Sequence, residues 1–143
     1  MEKAGQSSEN PPRFRFRQLY LHPVGDASFA IDKIGIEERM GPGLVNRPDG
    51  TGDWLLMFFL PGATVRDDEG DHCLEVDSAC LWPPTCRHFY GEPAREWRHS
   101  WIHFSGTACE ALVAEHGITP DRVLPVDYRA AVRHLDYLRS ELE

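Results

Sequence analysis

The chain has 143 residues, with 23 acidic against 15 basic side chains and a formal net charge of −8. That length suits one domain with a single hydrophobic core, and the acidic balance excludes nucleic-acid binding by this chain alone, because such binding neutralises phosphates with a basic patch. No apolar run approaches the roughly 20 residues that cross a bilayer, and the polar, Arg-rich start has no apolar signal core, so the sequence reads as a soluble, cytoplasmic protein.

Residues 1–13 are polar with a Pro pair and read as a disordered arm or in part a remnant of expression. Phe14-Arg15-Phe16-Arg17 alternates as a short strand does, and with Tyr20 it offers apolar anchors. From Ser28 to Val45 the pattern predicts one or two short strands, broken by Gly35 and by Gly41-Pro42-Gly43. Arg47-Pro48-Asp49-Gly50 is turn chemistry. The apolar run Trp54 to Leu60, closed by Pro61-Gly62, is short for a helix and predicts a strand buried on both faces. Thr64 to Arg66, His72 to Val76 and Ala79 to Trp82 follow as short strands, with the acidic stretch Asp67 to Asp71 as the longest intervening loop.

The stretch Ala79 to Gly106 holds three of the four Trp and three of the seven His. Between Glu96 and Phe104 it alternates, so that Trp97, His99, Trp101 and His103 share one strand face and Arg98, Ser100, Ile102 and Phe104 the other. Rings on one side and Ile and Phe on the other place this strand between a core and a ring-lined cavity, which is the character of a small-molecule site.

After Gly106 the pattern turns helical. Thr107 to Glu110 reads as a capping box opening a helix over 107–116 that Gly117 stops. Thr119-Pro120 suits one further turn, and Asp127 caps a final helix running to the end. On that helix Ala131, Leu135, Leu138 and Leu142 form a seam about two heptads long, too short to stand alone, so the expectation is that it holds a homodimer through residues 127–143. Glu141-Leu142-Glu143 sets negative charge at the negative end of the helix dipole without a stop signal, so the natural chain is expected to continue. Many short strands followed by helices indicate a mainly β sandwich or barrel over residues 1–106 with two helices over 107–143.

The run LWPPTCRHFYGEPAREWRHSWIHFSG, together with Arg47-Pro48-Asp49-Gly50 and the strand from Trp54 upstream, resembles the N-terminal effector-binding and dimerisation domain of the AraC family of bacterial transcription regulators. Val76-Asp77-Ser78 departs from the family's Pro-Gly-Asp turn. The resemblance implies a cupin-like double-stranded β-helix, an N-terminal arm that folds over a bound ligand, and a small polar effector such as a monosaccharide. It implies DNA contact only through a helix-turn-helix domain not in this chain. Residue by residue it points to Arg47, Tyr90, His99 and Trp101 as ligand-binding. Trp97 and His103 share the strand face of His99 and Trp101 by alternation and are assigned to the pocket edge.

Two rival readings carry less support. A small metal-dependent cupin enzyme, an isomerase or dioxygenase, would gather His72, His88, His99 and His103 inside the barrel, but the metal-binding His-x-His with a following Glu is absent, and the region reads Gly70-Asp71-His72-Cys73-Leu74-Glu75. Nucleophilic catalysis lacks an elbow or a Cys/His signature, so neither catalytic residues nor a cofactor is expected. Cys73, Cys80, Cys86 and Cys109 are irregularly spaced, without CxxC, and read as reduced packing residues.

Overall fold

The computed structural model describes residues 17–142, with side chains from residue 24 onward. The expected arm over residues 1–13, the anchors Phe14 and Phe16 and the side chain of Tyr20 lie outside what is described. The elements run β1 (Arg17–Gly25), β2 (Ala30–Met40), β3 (Gly43–Arg47), β4 (Trp54–Phe59), β5 (Thr64–Asp67), β6 (Gly70–Cys73), β7 (Ser78–Trp82), β8 (His88–Glu92), β9 (Trp97–Ser105), α1 (Cys109–Glu115), β10 (Leu124–Pro125) and α2 (Tyr128–Leu142).

Among the described residues ten strands make two antiparallel sheets, one six-stranded in the order β1-β2-β9-β4-β7-β10 and one four-stranded in the order β3-β8-β5-β6. Mainly β with two C-terminal helices is the expected class, and the facing sheets enclose a ring-rich interior in the cupin-like manner. The run from Trp54 is indeed buried on both faces. Leu55, Met57 and Phe59 point into the interior with Trp82, Tyr90, Trp97 and Trp101, while Trp54 and Leu56 pack outward against Cys109 and Val113 of α1.

Several local expectations are corrected. Gly35 does not break a strand; β2 passes through it and pairs it with Trp101. The acidic stretch is no long loop but a tight hairpin, with Asp67 paired to Gly70 and Arg66 to Asp71. Thr107 caps nothing: α1 begins at Cys109 with Ala108 as its N-cap and no side-chain cap, and the Thr107 hydroxyl donates instead to the Ala27 carbonyl. A tertiary acceptor has outcompeted the local one. Gly117, at φ 68°, does stop the helix, and Asp127 does cap α2, accepting from the Ala130 N–H at 3.0 Å.

The largest correction concerns α2. Its seam is covered by the chain's own barrel, since Leu135 packs with Ile31, Ile34, Ile36 and Ile102, and Val132, Leu138 and Leu142 lie against the same cluster. The premise of a dimer, Leu side chains left in water, therefore does not hold for this helix. The outer ends of Ile34 and Ile36 on β2 needed a lid, and α2 supplies it.

Candidate functional site

The four residues singled out from the sequence come from three strands and line one cavity of about 250 Å³. Arg47 ends β3, Tyr90 sits in β8, and His99 and Trp101 are successive inward residues of β9. His103 lines the same cavity, with Lys33, Glu38, Met40, Thr51 and Met57. Trp97 does not; it packs on His99, ring centroids 4.5 Å apart, and lines a separate cavity of about 370 Å³ at the Glu92–Arg98 turn.

Facing sheets bring these side chains together for a simple reason. Directly opposed residues of an antiparallel pair share a face, so Met57, paired with Trp101, and Lys33, paired with His103, must point where the rings point. Arg47 pairs with His88 and Val45 with Tyr90, so Arg47, His88 and Tyr90 share the inner face of the smaller sheet. The Arg47 guanidinium donates to the Tyr90 hydroxyl at 3.0 Å. Burial pushes the Tyr90 phenol up, so it stays neutral and able to donate.

Glu38 is the central residue that alternation does not reveal. Its Oε2 accepts from the Trp101 indole N–H at 2.6 Å and lies 3.0 Å from His99 Nε2. The His99 hydrogen bond, with help from Trp101 and the Arg47 charge and against the opposing effect of burial, holds the Glu38 carboxyl below its usual range. An ionised acceptor calls for a proton on Nε2 of His99, which then donates to Glu38.

Strict alternation would put Glu38 on the outer face beside Ile34 and Ile36. A β-bulge between Gly35 and Glu38 reverses that parity. Glu37 there has φ 56°, its N–H donates to the Ser100 hydroxyl at 2.9 Å, and its carboxylate pairs outward with Arg98 at 3.0 Å. Ser100 is fully buried and also meets the Tyr128 hydroxyl of α2 at 2.9 Å. The bulge is thus pinned from the outside, and Glu38 turns in.

Gly35 sets the pose of Trp101. A Cβ on Gly35 would run into Cε2, Cζ2 and Nε1 of the indole at once, so the ring packs directly over the glycine while lining the cavity. No positive φ is involved; the glycine is there for close approach.

At the other end of the cavity His103 Nδ1 meets Asp53 at 2.8 Å, and Thr51 donates to the same carboxylate oxygen at 2.7 Å. Burial pushes Asp53 up, but these bonds outweigh it and hold the group low; neighbouring Asp32 is raised, mainly by burial. His88, fully buried and stacked on Trp82 with centroids 4.9 Å apart, is pushed down to about 4 by burial and then by the Arg47 charge.

The four histidines weighed as metal ligands do not converge. His72 lies on β6, 36 % exposed, against Asp67 at 2.8 Å, and His99 and His103 each engage a carboxylate of their own. Among the described residues no group of three or more His, Cys, Asp or Glu side chains is placed to share a metal ion. Nor is any described helix long and apolar enough to cross a membrane.

A search of curated proteins finds no match to the chain. The family model for the AraC-like ligand binding domain matches residues 38–143, which takes in Glu38, Arg47, Tyr90, His99 and Trp101. Matched over well more than half its length, the chain belongs to the AraC-like ligand binding domain family.

Proposed function

We propose that the chain senses a small polar molecule of monosaccharide size in the cavity between Arg47, Tyr90, His99 and Trp101, as the effector domain of a transcription regulator, and performs no chemistry on it. The observation that carries this reading is the convergence of these side chains, from β3, β8 and β9, on one cavity of about 250 Å³. That volume lies just below the roughly 300–1,000 Å³ of sites for drug-sized ligands. A sugar has one C–H-rich face and a rim of hydroxyls. The free face of Trp101 suits the first, and Arg47, Tyr90 and the uncommitted Glu38 Oε1 suit the second.

A thermal-shift screen against monosaccharides and sugar acids tests the proposal. A ligand at 100 times its dissociation constant should add about 2.7 kcal/mol of stability, and Trp101→Ala and His99→Ala should each abolish that shift in a protein that still folds. Full stabilisation retained by both variants would sink the assignment.

Dimerisation through α2, and DNA contact through a helix-turn-helix domain on the same polypeptide, belong to the same proposal. Because Leu135 faces the chain's own barrel, a dimer would have to use the outward face of α2, where Tyr137 is 67 % exposed. Light scattering on Tyr137→Arg decides: a dimer unaffected by that change, or a wild type monomeric at high micromolar concentration, rules this surface out.

A further inference from the structure

The cavity has two chemically different ends. Along β9 the successive inward residues His99, Trp101 and His103 are paired by β2 with Glu38, Gly35 and Lys33. Four strand residues rise about 13 Å, so Glu38 and Lys33 stand at opposite ends of the indole plate.

The charges at the two ends differ in how they are answered. Glu38 takes two N–H donors on one oxygen and sits in the field of Arg47. Asp53, the nearest acid at the far end, is engaged by His103 and Thr51. Lys33 has no carboxylate within 4.0 Å among the described residues, and Arg47 has only the neutral Tyr90 hydroxyl. Elsewhere on the barrel the arginines are answered: Arg66, Arg87, Arg98 and Arg122 each hold a carboxylate at 2.6–3.0 Å. In a chain with eight more acids than bases, the cavity is lined by two cations, half-buried Lys33 and exposed Arg47, that have no carboxylate in ion-pair contact among the described residues.

We infer that the ligand of this cavity is a small hydroxylated carboxylate, of the uronic or aldonic acid class, whose carboxylate lies between Lys33 and Arg47 while its hydroxyls face Glu38. The inference rests on the effector-site reading above and adds the ligand's charge to it. A neutral sugar's hydroxyls can accept from the ammonium and guanidinium groups but leave both charges uncompensated, whereas a carboxylate matches the guanidinium fork and a lysine point charge together. A single negative charge is what the lining accommodates, two cations against the one carboxylate of Glu38.

The test compares matched pairs on the whole chain: D-galacturonate against D-galactose and D-gluconate against D-glucose, by thermal shift and titration calorimetry. The acids should bind at least 10-fold more tightly than their neutral partners, with affinity that falls as sodium chloride is raised. Lys33→Met should lower acid affinity at least 10-fold, and by a larger factor than it changes the affinity of the neutral sugars, while Lys33→Arg restores the preference for the acid. Neutral sugars binding as well as or better than the acids, in a manner abolished by Trp101→Ala, would overturn the charge assignment and leave the effector site standing. Binding of neither kind, or binding indifferent to Trp101→Ala, would overturn both.

Discussion

The two faces of the six-stranded sheet obey different rules. On the outer face Ile34, Ile36 and Ile102 meet Leu135 of α2, and the polar groups there are answered: Ser100 bonds the Glu37 N–H and Tyr128, and Arg98 bonds Glu37. On the inner side the rings of Trp82, His88, Tyr90, Trp97 and His99 lie edge to face, stacked or tilted at 4.5–5.9 Å. Yet Trp82 Nε1, Trp97 Nε1, both nitrogens of His88 and Nδ1 of His99 are buried without a partner among the described protein groups. A buried polar atom left unanswered costs about 1–3 kcal/mol. The outer face is thus packed with its polar groups answered, whereas the inner face combines a close-packed ring cluster with buried polar atoms left unanswered.

The sharpest way to break that contrast is to remove the lid of the outer face. Leu135→Ala should cost about 2–5 kcal/mol in chemical denaturation, the usual range for a buried Leu, with no change in ligand affinity. A loss below about 1 kcal/mol would mean that α2 does not hold the outer face.

His88 sharpens the contrast from the inside. Its folded-state pKa is held near 4 against an ordinary 6.5, so between those values the unfolded chain binds the proton and the folded chain does not. Stability is therefore intact above pH 6.5 and falls as pH drops towards 4, by about 3 kcal/mol for this one group. His88→Phe should remove that component of acid sensitivity and keep stability at neutral pH equal or higher. A variant whose stability between pH 6.5 and 4 declines as steeply as wild type contradicts the assignment.

Gly35→Ala places a methyl group in the face of Trp101. It should cost about 1–3 kcal/mol, as overpacking does, and weaken ligand binding at least 10-fold by shifting the indole plate. Unchanged affinity would show that the pose of Trp101 does not matter.

The smallest stability effect is expected for Glu38→Gln, which keeps the shape and an acceptor oxygen but loses the charge. Hydrogen bonds to a charged group contribute about 1.5–3 kcal/mol against 0.5–1.5 for neutral ones, so a loss of about 1 kcal/mol is expected. Denaturation at pH 7 checks the size, and the wild-type advantage should fade as pH falls through the depressed Glu38 pKa.

Alternation in β9 was enough to put His99, Trp101 and His103 on one face, because a strand in a regular ladder has a fixed period of two. The apolar length of the run from Trp54 sufficed to predict burial on both its faces. Arg47 and Tyr90 had no such local signal and were reached by family resemblance. Glu38 escaped both routes, since one extra residue at the bulge inverts its face and nothing in Ile36-Glu37-Glu38-Arg39 marks where that residue sits. Thr107 misled for the complementary reason: a sound capping motif gave way to an acceptor 80 positions away.

What the sequence by itself determined is the part governed by local periodicity and turn chemistry: a mainly β barrel, the ring-bearing strand, the Gly117 stop and the Asp127 cap. What only the tertiary structure decided is every relation between distant segments. The Ile row of β2 covers the seam of α2, so a pattern equally suited to a partner helix is used within one chain. Ser100 and Tyr128 pin the bulge that turns Glu38 inward, and Gly35 yields its side-chain volume to the Trp101 ring. These depend on which surfaces meet, and periodicity along one strand carries no information about what packs against it.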